Sequence, residues 1–172
     1  MTHRLRFKEP WTFAVPLILA MTFSAATLAQ DCNPNDIVLD SQADVDNFQA
    51  NHGPCHIVFG SLTIDGDDIV SLGGLAAIEV VGNLIITNNP VLTQIDGLSG
   101  LTDINRDLEV SHNENLVDID GVANVTDIGR NILIWDNSDL EDLDGFTRLT
   151  EVDGSLEVRN NDTLSDLDGL SR

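Results

Sequence analysis

Carboxylates recur along this chain at a fixed interval. Asp96, Asp120, Asp144 and Asp168 lie 24 residues apart, each followed by Gly and flanked by apolar residues. Asp118, Asp142 and Asp166 stand two places before three of them. Two chemistries are open to such columns. Stacked acids repel, and a divalent cation held among them relieves the repulsion; paired acids in a cleft, one of raised pKa, can cleave glycosidic bonds. The plainer alternative is a tight turn, in which Asp bonds its own backbone and Gly takes a positive φ. The turn is preferred, because the chain carries neither an EF-hand loop nor the glycine-rich nonapeptide of calcium-binding β-rolls. His52, His56 and His112 have no evident nucleophile partner. No catalytic residue, metal or cofactor is therefore expected.

A repeat must position these acids. Leu84, Leu108, Ile132 and Leu156 each open a phrase of the form L-x-I/V-x-x-N-x-x-L, and a degenerate first copy runs from Leu62. A unit this small cannot enclose its own apolar side chains, so the units must stack around a shared core. Between phrases the apolar residues continue at three-residue steps, as Leu92, Ile95, Leu98, Leu101 and Ile104 do, which gives seven inward positions per unit. The opening of each phrase has period two: Leu108 and Val110 face one way, Glu109 and Ser111 the other, as in a half-buried strand. Stacking makes such strands parallel. Asn89, Asn113, Asn137 and Asn161 form a column at the strand ends, with Asp67 standing in the first copy. An inward Asn there can bond the turn backbone of its own and neighbouring units. The expected fold is mainly β, a solenoid of about 24-residue coils similar to leucine-rich repeats.

Residues 1–29 hold Arg4, Arg6 and Lys8, an apolar stretch from Trp11 to Phe23, and small residues ending at Ala29. This is the pattern of a secretory signal peptide, too short to be kept as a membrane span. The expected organisation is a signal peptide (1–29), an N-terminal cap (30–58) and a repeat solenoid (59–172) whose last coil is incomplete. Three of the eight basic residues and one of the 29 acidic ones lie in the leader, leaving five against 28, a formal charge of −23. Such a field repels nucleic acid and anionic lipid and favours cations and basic ligands. Arg106 with Arg130, and Arg148 with Arg172, recur at the repeat interval and are expected to lie against neighbouring acids. Cys32 and Cys55 both precede the first repeat, and in an exported chain they read as a disulfide. Between them Ile37-Val38-Leu39 reads as a strand and Ser41-Gln42-Ala43-Asp44 as the start of a short helix, stopped by Asn51-His52-Gly53-Pro54. Together they would close the open end of the first unit.

The two cysteines around a short helix, the run from Cys55 to Ile64, and the repeated G-x-L-x-I/V that follows resemble the receptor L-domain family, over residues 32–172. That family includes ligand-binding lobes of insulin-receptor and epidermal-growth-factor-receptor ectodomains, and secreted or surface proteins of microbes. The resemblance implies a right-handed β-helix-like solenoid, related to leucine-rich repeats, with an N-terminal helical cap. It does not imply receptor signalling, since the sequence shows no kinase, transmembrane helix or cysteine-rich region.

Outward strand positions are where a ligand would be met. Down the stack they read Thr63 and Asp65, Ile85 and Thr87, Glu109 and Ser111, Leu133 and Trp135, Glu157 and Arg159. Ile85, Leu133 and Trp135 are apolar where the pattern calls for polar residues. With Glu109, Glu157 and Arg159 around them they form the candidate ligand-binding set, suited to a protein or carbohydrate. The alternative is that Trp135 simply packs on its cross-strand neighbours. The expected function is a secreted or cell-surface binding or adhesion module, extracellular or periplasmic, not membrane-spanning once the leader is removed, and without catalysis. Alternatives are a polysaccharide-active β-helix enzyme and a structural fragment of a longer surface protein.

Overall fold

The computed structural model describes residues 30–32 and 36–171; the expected signal peptide and Arg172 lie outside the described residues. The protein is mainly β. In chain order the strands are β1 (Gln30–Asp31), β2 (Ile37–Leu39), β3 (Cys55–Ile64), β4 (Val80–Thr87), β5 (Asp103–Ile104), β6 (Leu108–Ser111), β7 (Asp127–Ile128), β8 (Ile132–Trp135), β9 (Glu151–Val152) and β10 (Leu156–Arg159). All ten belong to one open sheet, and every pairing in it is parallel.

The sheet forks at its long strands. The C-terminal half of β4 pairs with β6, which continues through β8 to β10; its N-terminal half pairs with β5, which continues through β7 to β9. Strand β3 is likewise shared, with β2 on its C-terminal half and β1 on its N-terminal half. One ladder of four-residue strands and one of two-residue strands result. Leu84, Leu108, Ile132 and Leu156 are register partners, so a 24-residue interval along the chain becomes a single strand step in space. A third column consists of short 3-10 turns at Gly73–Leu75, Asp96–Leu98, Asp120–Val122, Asp144–Phe146 and Asp168–Leu170, each packed on the next.

Between these columns lies the core. Leu84, Ile86, Leu92, Ile95, Leu98, Leu101 and Ile104 are buried, and so are their counterparts one unit later, from Leu108 and Val110 to Ile128. Burying a Leu or Ile fully contributes roughly 1.5–3 kcal/mol relative to exposure, so each unit adds its stability by covering its neighbour. In the last described unit the same columns hold Leu156 and Leu167, which are exposed.

At the N-terminal end the expected single helix is two, α1 (Gln42–Asp46) and α2 (Phe48–His52). Ser41 caps the first: its Oγ accepts from the Asp44 amide at 3.3 Å and donates to Asp44 Oδ2 at 2.7 Å. The break falls at Asn47, whose amide and side-chain Nδ2 both donate to the Ala43 carbonyl. Val45 and Phe48 are buried, and Gly53 ends the helical segment with φ 82°. A disulfide joins Cys32 to Cys55 with their Cα atoms 5.1 Å apart. No helix among the described residues is long and apolar enough to cross a membrane.

The Asn column is a hydrogen-bonded ladder. Asn113 Oδ1 accepts from both the backbone and side-chain nitrogens of Asn89, at 3.1 and 2.9 Å, while Asn113 Nδ2 donates to the Ile86 carbonyl at 2.9 Å. Asn137 serves Asn113 in the same way, and Asn161 serves Asn137. Asn89, Asn113 and Asn137 are wholly buried, and among the described residues no buried side-chain nitrogen or oxygen lacks a partner. The residue before each, Asn88, His112, Asp136 or Asn160, takes φ of 53–57°, the left-handed conformation that swings the chain off the strand.

Two sequence expectations are corrected here. Asp67 does not stand in the column; it is exposed, and the Gly66 amide donates to Asn89 Oδ1 at 3.0 Å. The first turn is one residue shorter, and a ladder's first rung needs only a donor. Nor do the glycines of the Asp-Gly turns take a positive φ, since among the described residues Gly53 alone does. Gly97, Gly121, Gly145 and Gly169 lie within 3-10 turns, where a Cβ would fall on the carbonyl of Leu72, Ile95, Ile119 or Leu143 in the preceding unit. They are glycine because adjacent backbones touch.

Asn113→Ala strands the Asn89 amide and the Ile86 carbonyl inside the core, at about 1–3 kcal/mol each. Urea unfolding should show a loss of about 2–6 kcal/mol. Gly121→Ala should lower the melting temperature clearly in calorimetry, while Gly73→Ala, whose added methyl meets only Ser71 Oγ at 3.5 Å, should change it little.

Candidate functional site

Strand alternation carries the candidate residues to the outer face of the long ladder. Register pairing sets Val38, Thr63, Ile85, Glu109, Leu133 and Glu157 in one row across β2, β3, β4, β6, β8 and β10. Thr87, Ser111, Trp135 and Arg159 form a second row two residues further along. All six sequence-chosen residues therefore share one surface. Ile85, Leu133 and Trp135 are half-buried, and Glu157 and Arg159 are exposed.

Trp135 is held from both neighbouring units. Its ring meets the His112 ring edge to face, with centroids 4.2 Å apart and planes at 74°, and the Arg159 guanidinium carbon lies 4.4 Å over it. Arg159 Nε is in turn 2.8 Å from Glu157 Oε1. Cross-strand packing of Trp135 is thus present, and its indole is half-buried by it. A cation over an indole contributes about 0.5–1 kcal/mol at an exposed site. Ser111, expected to face outward, is fully buried, and its Oγ is satisfied by Thr87 Oγ1 at 2.9 Å and Glu109 Oε1 at 3.0 Å.

Three neighbours of the surface were missed by sequence reasoning. Val38 is 62% exposed at the head of the first row; the period of two in Ile37-Val38-Leu39 marks it as outward, but its partner strand was not legible. His112 and Asp136 come one residue after their strands, and His112 Nδ1 lies 3.4 Å from Asp136 Oδ2. Only the left-handed turn brings them beside Trp135, and no local sequence signal announces it.

The acids form a separate feature on the 3-10 turns. Asp118, Asp142 and Asp166 each accept the amide of the residue two places on, at 3.2, 2.9 and 3.0 Å. The expected self-bonding turn exists, but the first Asp of each pair makes it. Burial raises the Asp118 carboxyl above its ordinary range, with smaller contributions from Asp96 and Asp142 and opposition from the Asp120 amide. Burial also raises Asp120, helped by the charges of Asp118, Asp142, Asp144 and Asp96. Among the described residues no group of three or more His, Cys, Asp or Glu is placed to hold a metal ion. Arg130 lies 3.9 Å from Asp107, as expected of an Arg among acids, whereas Arg148 donates to the Asn124 side-chain carbonyl at 2.8 Å. An open groove of about 420 Å³ beside these turns, lined by Val70, Gly73, Thr93, Gln94 and Asp96, contains a single acid. That is too few for paired acid–base work.

No family model, curated protein or solved structure matches the chain.

Raised carboxyl pKa values mean that the folded state binds protons more readily than the unfolded one. The stabilisation is therefore full below the ordinary carboxylate range and is lost as pH rises through the elevated values. Asp120→Asn should raise the melting temperature at pH 7 and have a smaller effect at pH 3.5, which thermal scans at the two pH values would show.

Proposed function

We propose that the chain is a secreted or cell-surface binding module: a right-handed solenoid of 24-residue coils, related to the receptor L-domain family, that meets a protein or carbohydrate ligand with the outer face of its long ladder. One observation carries this proposal. Ile85, Leu133 and Trp135, apolar residues on the solvent side of a sheet, lie in two adjacent register rows, interleaved with Glu109, Glu157 and Arg159. Aromatic and aliphatic anchors with charged neighbours on one surface have the composition of a binding hot spot. Side chains carried on a hydrogen-bonded parallel ladder need little further ordering when a partner docks, which lowers the conformational part of the entropy that opposes association.

Export is supported by the Cys32–Cys55 bridge, since disulfides persist in oxidising compartments. Binding rather than catalysis is supported by the regular spacing of the acids on turns, where the first Asp of each pair accepts a backbone amide. The polysaccharide-active alternative lacks a comparable observation.

Protein and glycan arrays probed with residues 30–172 test this. Leu133→Ser should remove retained ligands and leave the melting temperature nearly unchanged, because Leu133 is only half-buried and faces solvent. Retention unaffected by Leu133→Ser and Ile85→Ser, or hydrolysis of an arrayed polysaccharide, would refute the proposal.

A further inference from the structure

We propose that the occupant of this face is a basic amphipathic helix of a partner protein, lying across the strands, rather than a glycan; this rests on the binding-face proposal above. Three observations converge on it.

The first is the state of the tryptophan. Sugars bind aromatic residues by stacking on a free ring face. Trp135 has Arg159 over its ring from β10 and His112 against it from the unit of β6. A stacking sugar would have to displace a cation that is also paired with Glu157 at 2.8 Å. What Trp135 offers is its rim, suited to aliphatic side chains.

Charge is the second. Asp65, Glu109, Asp136 and Glu157 lie on or beside the face; Arg159 is already engaged by Glu157 and Trp135, and Asp136 by His112 and Asn160. Asp65 and Glu109 keep their charge and a free acceptor oxygen each: Asn88 donates to only one oxygen of Asp65, and Ser111 to only one of Glu109. With a formal charge of −21 on the whole chain, long-range attraction favours a cationic partner as well.

Spacing is the third. The first row reads Val38, Thr63, Ile85, Glu109, Leu133, Glu157, so apolar positions alternate with polar or acidic ones on successive strands. Parallel strands are about 4.8 Å apart, which sets Ile85, Glu109, Leu133 and Glu157 at steps of about 4.8 Å and the apolar pair about 9.6 Å apart. On a helix rising 1.5 Å per residue, positions i, i+3, i+7 and i+10 fall at roughly 0, 4.5, 10.5 and 15 Å. Apolar residues at i and i+7 would meet Ile85 and Leu133, and Lys or Arg at i+3 and i+10 would meet Glu109 and Glu157. An extended strand, with same-face side chains about 6.8 Å apart, cannot follow that alternation.

The test uses two fluorescent peptides of identical composition. One places Leu at every seventh position and Lys three residues after each Leu; the other scrambles them. Anisotropy titrations with residues 30–172 should show the patterned peptide binding at least about tenfold tighter than the scramble. Leu133→Ser and the double change Glu109→Lys with Glu157→Lys should each remove that advantage. A third peptide with Glu in place of Lys should bind the double-Lys variant better than the wild-type chain, a rescue that a misfolded variant could not give. Equal binding of patterned and scrambled peptides, or failure of the charge-swapped pair to recover, would overturn the inference. Glycan retention that is lost with Leu133→Ser would also overturn it while leaving the binding face intact. Insensitivity of every probe to Leu133→Ser would remove both proposals.

Discussion

Everything in this fold depends on a buried asparagine finding its partner one unit away. Asn89, Asn113, Asn137 and Asn161 each spend their side-chain groups on backbone and side-chain atoms of neighbouring units. A buried amide without partners is costly, whereas a completed network fixes a single arrangement. The ladder therefore holds the units at one register, and the apolar columns follow. Leu on Leu and Ile on Val tolerate small slips; an Asn whose carbonyl must receive two N–H groups does not.

That register also decides the surface. Because Leu108 and Ile132 are locked together, so are Glu109 with Leu133 and Ser111 with Trp135 on the opposite side of the same strands. The interior and the candidate site are two faces of one pairing pattern. The turn geometry adds a second link, since the left-handed residue before each Asn is what lifts His112 against Trp135 and Asp136 against His112. The acids are distributed differently. They gather on the 3-10 turns, where Asp118, Asp142 and Asp166 hold the turns and Asp120 remains as an exposed charge among like charges. Stability near neutral pH is thus opposed by the same columns that shape the turns.

Recurring residue types were legible wherever one residue answers to one spatial demand. The columns from Leu84 through Ile104, the outward alternation, the Ser41 cap and the cysteine bridge all follow from local chemistry and spacing. Glycine in the Asp-Gly turns was misread because two physical causes select the same residue. A positive φ and a close backbone approach both exclude a Cβ, and only the packing of Gly121 on Ile95 tells which applies. Asp67 was misplaced because the first turn is one residue shorter, a difference that alignment to the repeat conceals.

By itself, the sequence determined the interval, the inward and outward alternation along the four-residue strands, and the acidic character of the chain. These depend on side-chain type and on the period of an extended strand, both local properties. Tertiary structure alone decided that long strands β3 and β4 are shared between two ladders, that Val38 heads the row of Ile85 and Leu133, and that Trp135 is bracketed by His112 and Arg159. Those facts belong to contacts between units, and a residue's own sequence neighbours do not encode which face of it the next unit will cover.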